Sequence, residues 1–199
     1  MDRYVALLRG INVGGRTIKM ADLSAAFAAL GFADAETVLQ TGNVVFSSNE
    51  PAEELKPTLE RGLEQAFNYP AHVQVVGLER LGRILTANPF AADETHHSYI
   101  LFFEDGLERE LFTTAAELES PTDEMQPGDG VLYWRVPKGQ TLKSPFSKLL
   151  TKPRWRSPAG ATFTPIATRT RSRRFSPGDR TPNWLRSANG AARAIPRQA

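Results

Sequence analysis

A tight turn between two apolar runs is the feature of this sequence that most restricts its fold. Thr37-Val38-Leu39 and Val44-Val45-Phe46 are strand-like runs, and Gln40-Thr41-Gly42-Asn43 separates them. Glycine and asparagine tolerate the positive φ values that short hairpin turns require. The spacing therefore predicts an antiparallel hairpin with Gly42 or Asn43 at positive φ. It opposes the alternative of one continuous, doubly wound parallel sheet.

Helix and strand patterns on both sides of this hairpin complete a β-α-β-β-α-β order. Leu23, Phe27 and Leu30 have the spacing of one helix face. Pro57 falls in the second turn of the next helix and is expected to shorten its start. The order is that of a ferredoxin-like plait, an antiparallel sheet with two helices on one face. The predicted elements lie at residues 3–8, 20–30, 37–46, 51–67 and 71–77.

The pattern begins again after a connecting helix over residues 78–85, which Asn88-Pro89-Phe90 is expected to stop. The second set has the order β-α-β-β-α. We therefore predict an α+β protein with two small subdomains and a tail. The first subdomain is ferredoxin-like and covers residues 1–85, the second is a similar or truncated plait over residues 86–156, and residues 157–199 form the tail. The predicted elements of the second subdomain lie at residues 98–103, 107–118, 123–126, 131–136 and 145–150.

Charge divides the chain into an acidic body and a basic tail. Residues 1–150 carry 13 Lys/Arg and 21 Asp/Glu, a net charge of −8, whereas residues 151–199 carry 11 and one, a net charge of +10. A basic tail is typical of nucleic-acid arms, because lysine and arginine neutralise phosphates. Two other interpretations remain open, a disordered extension and an out-of-frame reading of the gene.

Several classes of protein are excluded by composition. The chain has no cysteine, so it has no disulfide, no thiolate nucleophile and no cysteine-built metal site. No stretch approaches the roughly 20 apolar residues of a membrane span, and the N-terminus enters a strand-like run directly. We therefore expect a cytoplasmic protein with no membrane partner.

The segment after the first predicted strand is the main candidate site. Its glycines and asparagine allow backbone N–H groups to converge on an anion, and a helix N-terminus follows. It lacks the motifs of Walker A and dinucleotide loops, so no cofactor is indicated. The alternative is that the glycines only permit a tight strand-to-helix connection. The candidate ligand-binding residues here are Arg9, Gly10, Asn12, Gly14, Gly15 and Lys19.

Gln40 and Asn43 add a second candidate group, since side-chain amides suit a polar ligand; the alternative is a simple hairpin turn. His96 and His97 are placed in the linker between the subdomains. Adjacent residues on a strand point to opposite faces, so this pair is a poor chelate and no metal site is predicted. No catalytic residue can be assigned.

The sequence resembles the DUF1697 family of bacterial proteins. The resemblance rests on Leu7-Leu8-Arg9-Gly10-Ile11-Asn12-Val13-Gly14-Gly15, Gln40-Thr41-Gly42-Asn43-Val44-Val45-Phe46 and Asn88-Pro89-Phe90, in this order and spacing. It covers residues 1 to about 150, and residues 157–199 depart from it. The resemblance implies two subdomains of ferredoxin-like character and no established activity.

Three functional hypotheses follow. The first is the binding of a small anionic or phosphate-bearing ligand at the segment between Arg9 and Lys19. The second is nucleic-acid binding by the sheet and the basic tail, with Tyr4 and Phe46 as stacking residues; the charge of the acidic body opposes it. The third is a non-catalytic module that binds a protein partner. The oligomeric state is left open.

Overall fold

The computed structural model describes residues 1–9, 17–38, 42–68, 70–90, 93–103, 107–152 and 155, and at Arg9 it describes the backbone only. Within these residues the chain forms two compact units, which divide between Arg83 and Ile84. The predicted tail, residues 157–199, lies outside the described residues. Over the part of the chain that is described, no helix has the length and apolar character that crossing a membrane requires.

The first unit contains one four-stranded sheet and two helices. The strand order is β2-β3-β1-β4, and every neighbouring pair is antiparallel. Each helix joins two strands that lie on either side of a third, which is consistent with the predicted plait. The elements are β1 Asp2–Arg9, α1 Met20–Ala29, β2 Glu36–Val38, β3 Asn43–Ser48, α2 Ala52–Phe67 and β4 His72–Gly77.

Alternate residues of β1 and its neighbours build the core between sheet and helices. Tyr4, Ala6 and Leu8 of β1 are buried in it together with Phe27 of α1 and Phe46 of β3. The rings of Tyr4 and Phe46 lie 5.9 Å apart, and those of Phe27 and Phe46 lie 5.6 Å apart in an edge-to-face arrangement. Burial of each large apolar side chain contributes about 1.5–3 kcal/mol. This face of the sheet therefore anchors both helices.

The opposite face of the same sheet is buried as well. Val5 and Leu7 of β1 and Val45 of β3 have no exposed surface, and Val76 of β4 has 1%. A strand that is buried on both faces carries a continuous apolar run rather than an alternating one. The run over residues 4–8 is such a sequence, and the strand predicted over residues 3–8 is confirmed as β1.

Pro57 does not shorten α2, so that prediction was wrong. The helix begins at Ala52 and continues through Pro57 to Phe67. Proline lacks the N–H that would complete one hydrogen bond of the helix. However, Leu55, Leu59 and Leu63 form a fully buried row on the same helix, and tertiary packing of such a row supplies most of the stability of a short helix.

The second unit repeats the order β-α-β-β-α, as predicted. Its sheet has the order β5-β7-β6 with antiparallel pairs, so the described residues form an α+β structure with two antiparallel sheets. The Tyr133 hydroxyl of β7 donates a buried hydrogen bond of 2.8 Å to the Ile84 carbonyl of α3. Helix α3, Leu78–Ala87, contains the division between the units. The elements that follow it are β5 His96–Phe102, α4 Leu107–Ala116, β6 Glu124–Pro127, β7 Val131–Pro137 and α5 Pro145–Leu150.

One carboxylate joins three elements of the second unit. Asp123 precedes β6, and its Oδ1 accepts a 2.7 Å hydrogen bond from Nε1 of the fully buried Trp134. Its Oδ2 accepts from the Ser120 hydroxyl at 2.7 Å and from the Phe146 backbone N–H of α5 at 3.2 Å. Hydrogen bonds to an ionised group are stronger than neutral ones. Asp123 thus fixes β7 and α5 to the entry of β6.

We expect Asp123→Ala to destabilise the protein by about 2–4 kcal/mol, because it leaves a buried indole N–H without an acceptor. Urea denaturation measures this change. Glu117→Ala is the matched control, since Glu117 is an exposed carboxylate on the segment after α4. If both variants lose the same stability, Asp123 does not join these elements in the way described.

Candidate functional site

The two motifs singled out in the sequence meet at one end of the first sheet. The Leu8 N–H of β1 donates a 3.2 Å hydrogen bond to the Gly42 carbonyl, immediately before β3. On the other side of β1, Arg9 lies opposite His72, the first residue of β4. We call this region the loop end of the sheet; it comprises Arg9, Gly42, Asn43 and His72, and Lys19 follows Arg9 along the chain after the glycine-rich segment.

The predicted site residues are only partly described at the loop end. Arg9 is the last residue of β1, and Lys19 directly precedes α1. Asn43 is the first residue of β3. The remaining candidates lie outside the described residues, namely Gly10, Asn12, Gly14, Gly15 and Gln40.

The hairpin has the predicted geometry. Gly42 has a φ of +82°, and β2 and β3 pair in antiparallel register with Val38 opposite Asn43. Asn43 itself is extended and only 7% exposed. A turn therefore accounts for Gly42, but it does not account for the amide of Asn43, which is buried in a row of mostly apolar residues.

Gln74 is a functional candidate that the sequence analysis missed. Leu7 of β1 lies between Asn43 of β3 and Gln74 of β4 in the register, so the two amides share one face of the sheet. The Gln74 Oε1 is buried and accepts no hydrogen bond. An unsatisfied buried polar atom costs about 1–3 kcal/mol. A ligand that donates a hydrogen bond would remove this cost.

His72 lies on the same face as Gln74, two residues earlier in β4, and is half-buried. The alternation His72-Val73-Gln74-Val75 is a signal for a strand with one polar face. It becomes informative only when β4 is known to pair with β1, because the pairing brings this polar face beside Arg9. The sequence pattern alone does not give the pairing.

The start of α1 adds backbone donors to the loop end. Lys19 is the N-cap residue, has extended backbone angles and forms no capping side-chain hydrogen bond. Its carbonyl accepts the Leu23 N–H at 3.0 Å. The first N–H groups of a helix have no partner within the helix and favour anions. Asp22, in the first turn, is exposed and opposes part of this positive potential.

A lysine and a glutamate are two charged side chains on the elements around this sheet. Lys19 is exposed. Glu60 of α2 is the carboxylate that contacts β4, and its Oε1 accepts the Val73 N–H at 3.0 Å. The Glu60 side chain therefore takes a hydrogen-bonding position on the outer edge of β4. Side-chain amides, helix N–H groups and lysine are donor types that bind anions.

The placement of Tyr4 and Phe46 as stacking residues for nucleic-acid bases was wrong. Tyr4 is 8% exposed and Phe46 is completely buried, both in the core beneath the helices. Even-numbered residues of β1 face the helices, because successive side chains of a strand alternate between faces. The described sheet therefore offers neither ring to a base.

The two adjacent histidines belong to β5 and not to a linker, which corrects their predicted position. They point to opposite faces, as expected. His96 Nδ1 lies 2.7 Å from the Thr95 hydroxyl and 3.3 Å from Asp93 Oδ1, whereas the His97 ring lies 5.8 Å from the ring of Tyr99. Among the described residues, no group of three His, Asp or Glu side chains is arranged to bind a metal ion.

Asp93 organises the start of β5. Its Oδ1 accepts from the backbone N–H groups of Thr95 and His96, each at 2.7 Å, and its Oδ2 accepts from Arg135 Nη2 at 2.8 Å. Hydrogen bonds from Thr95 and Arg135 hold the pKa of Asp93 well below its usual range. These bonds lie within the second unit, and they stabilise the turn before β5 without a ligand.

Asn88 ends α3 in the expected way. Its Oδ1 accepts from the Phe90 N–H at 3.0 Å, and its Nδ2 donates to the Ser98 hydroxyl of β5 at 3.1 Å. The Asn-Pro-Phe motif thus connects the helix end to the second sheet. It is a structural motif of the second unit.

Comparison with known proteins identifies a family and a similar solved structure. A family model described as "Protein of unknown function (DUF1697)" matches residues 1–133. The solved structure of a conserved bacterial protein from Streptococcus pneumoniae is similar, with a TM-score of 0.64 and 25% sequence identity; the match covers 80% of this chain and 91% of that one. No curated protein matches the sequence.

We expect His97 to make stability fall as the pH is lowered. Burial, with a smaller effect of the Lys138 charge, lowers the pKa of His97. The folded protein then binds fewer protons than the unfolded chain, whose imidazole has a pKa of about 6.5, so acidification favours unfolding. Urea denaturation between about pH 8 and about pH 5.5 should show a smaller loss for His97→Gln than for the parent. His72→Gln is the comparison variant. If the stability of His97→Gln depends on pH as strongly as that of the parent protein does, the prediction for His97 is wrong.

Proposed function

The chain belongs to the DUF1697 family, and from this premise we propose that its first unit binds a small anionic ligand, such as a phosphate-bearing metabolite, at the loop end of the first sheet. The family description names no activity, so the proposal depends on the site alone. It concerns binding and assigns no catalytic step.

The observation that carries the proposal is the register of β1 with both of its neighbours. It brings Arg9, His72 and the start of β3 to one end of the sheet. Lys19 and the uncapped start of α1 follow from β1 along the chain, after a glycine-rich segment. In this proposal, cationic side chains and the N–H groups at the start of α1 bind one anion together, which is the usual composition of a phosphate site.

Each group has a distinct chemical part in this proposal. Lys19 supplies a point charge, which suits phosphate without demanding a fixed geometry. The amides of Asn43 and Gln74 select the part of the ligand that enters the sheet face. The buried Oε1 of Gln74 favours a ligand with a hydroxyl or amino donor in addition to its anionic group.

The glycine-rich segment contributes through its backbone. Gly10, Gly14 and Gly15 leave room for close approach of an anion to main-chain N–H groups, and Asn12 tolerates the same backbone angles. We place this binding in the cytoplasm, where phosphate-bearing metabolites are abundant. Cell fractionation of the natural host tests the location separately.

A thermal-shift screen of phosphate-bearing metabolites tests the binding. A ligand at about 100 times its Kd should stabilise the parent protein by about 2.7 kcal/mol, which raises Tm by roughly 5–10 °C for a chain of this size. We expect Arg9→Ala combined with Lys19→Ala to lose most of that shift, since the anion loses both counter-charges.

Arg61→Ala combined with Arg83→Ala is the matched control, because it removes two exposed positive charges from the same unit. This control should keep the shift. If Arg9→Ala with Lys19→Ala responds to the same metabolites as the parent does, the proposal fails. Gln74→Leu then separates the two parts of the site: it should weaken ligands that carry a donor and leave inorganic phosphate unaffected.

A further inference from the structure

The last part of the second unit has a charge opposite to that of the body. Between Val131 and Lys152 the chain has no Asp or Glu, although residues 1–150 as a whole carry a net charge of −8. The same stretch contains five basic residues. They are Arg135, Lys138, Lys143, Lys148 and Lys152.

Four of these residues form what we call the lysine surface: Lys138, Lys143, Lys148 and Lys152. All four side chains are exposed. They follow the chain from the end of β7 through the turn before α5 to the residues just after this helix. The lysine surface is therefore part of an ordered segment that packs on the second sheet.

The packing of α5 explains why its lysine faces solvent. Phe146, Leu149 and Leu150 are buried in the core of the second unit. The turn continues past the helix, because the Lys152 N–H donates to the Leu149 carbonyl at 3.0 Å. Lys148 lies in α5 and Lys152 follows two residues after its end, so the two lysines are separated by about one turn of chain.

The charge of this surface is not neutralised within the described chain. Arg135 is the basic residue of the stretch that forms ion pairs, at 2.8 Å with Asp93 and 2.7 Å with Glu124. Lys138 Nζ donates to a neutral acceptor, the Glu94 backbone carbonyl, at 2.7 Å. Within the described residues, the other three lysines have no ion pair. Their charges are available to an external anion.

The surface has few apolar groups that could anchor a protein or enter a bilayer. Phe146 is completely buried and Trp155 is 3% exposed, which leaves Leu142, at 43%, as the large apolar side chain exposed here. Protein interfaces usually contain aromatic anchors and are poor in lysine. Membrane-surface helices expose an apolar face, but that of α5 is used in the core.

We propose that the lysine surface binds the phosphate backbone of a nucleic acid. Lysine is suited to phosphate as a strongly hydrated point charge, and contacts to the backbone need no base recognition. The acidic remainder of residues 1–150 repels phosphates, so within the body this surface is the part that attracts a nucleic acid. This proposal is independent of the anion site in the first unit, since the two use different residues.

Fluorescence anisotropy of the full chain with a labelled duplex of about 20 base pairs, at several salt concentrations, tests the proposal. We expect the combination Lys143→Ala, Lys148→Ala and Lys152→Ala to weaken binding by more than tenfold near 0.1 M salt. The slope of log K against log salt should become shallower by about 1 for each lysine removed. The Tm should not change, because the side chains are exposed.

The combination Arg61→Ala, Arg83→Ala and Arg109→Ala is the matched control. It removes the same three charges from exposed positions elsewhere and gives the same net charge. This control should retain the parent affinity and salt slope. Equal losses in both triple variants would show a general charge effect, and no loss in either would place binding outside the lysine surface; both results overturn the proposal.

A second experiment tests whether the partner is a membrane and not a nucleic acid. Co-sedimentation with vesicles rich in phosphatidylglycerol should be weak for the parent chain and equal for both triple variants. If the lysine variant loses vesicle binding while duplex binding stays unchanged, the surface recognises lipid headgroups and the nucleic-acid proposal is wrong.

Discussion

The pairing of β1 with β3 on one side and β4 on the other is the interaction on which the first unit depends. β1 is central in its sheet and apolar on both faces, with Val5 and Leu7 fully buried. Because side chains alternate between faces, a shift of one residue would exchange the two buried faces. The same register places Arg9 beside His72. The strand pairing that stabilises the sheet therefore also determines which residues lie together at the loop end.

Two polar side chains, one in each unit, differ in whether their hydrogen bonds are satisfied. In the second unit, the Asp123 carboxylate accepts three hydrogen bonds and connects β6, β7 and α5. In the first unit, Gln74 presents a buried Oε1 with no donor. A satisfied buried network stabilises one arrangement of its elements, whereas an unsatisfied atom raises the free energy until a partner arrives. The contrast assigns Asp123 to folding and makes Gln74 a candidate for binding.

The two proposals concern different ligands, because positive charge is distributed differently at the two regions of the chain. The proposed anion site uses Lys19 with side-chain amides and helix N–H groups, donor types that suit a compact anion. The lysine surface distributes point charges over a longer segment from Lys138 to Lys152, which suits an extended polyanion. Net charge alone does not show this division, because acidic residues elsewhere reduce the total to +2.

The sequence by itself determined the order of the elements, the hairpin at Gly42 and the α+β class, because these follow from local periodicity and from backbone angles that glycine tolerates. It misjudged Pro57, whose missing hydrogen bond was outweighed by a buried leucine row. Only the tertiary structure decided that Tyr4 is in the core and that Gln74 shares a face with Asn43. Those facts depend on pairing between strands far apart in the chain, and a local pattern carries no information about which strands become neighbours.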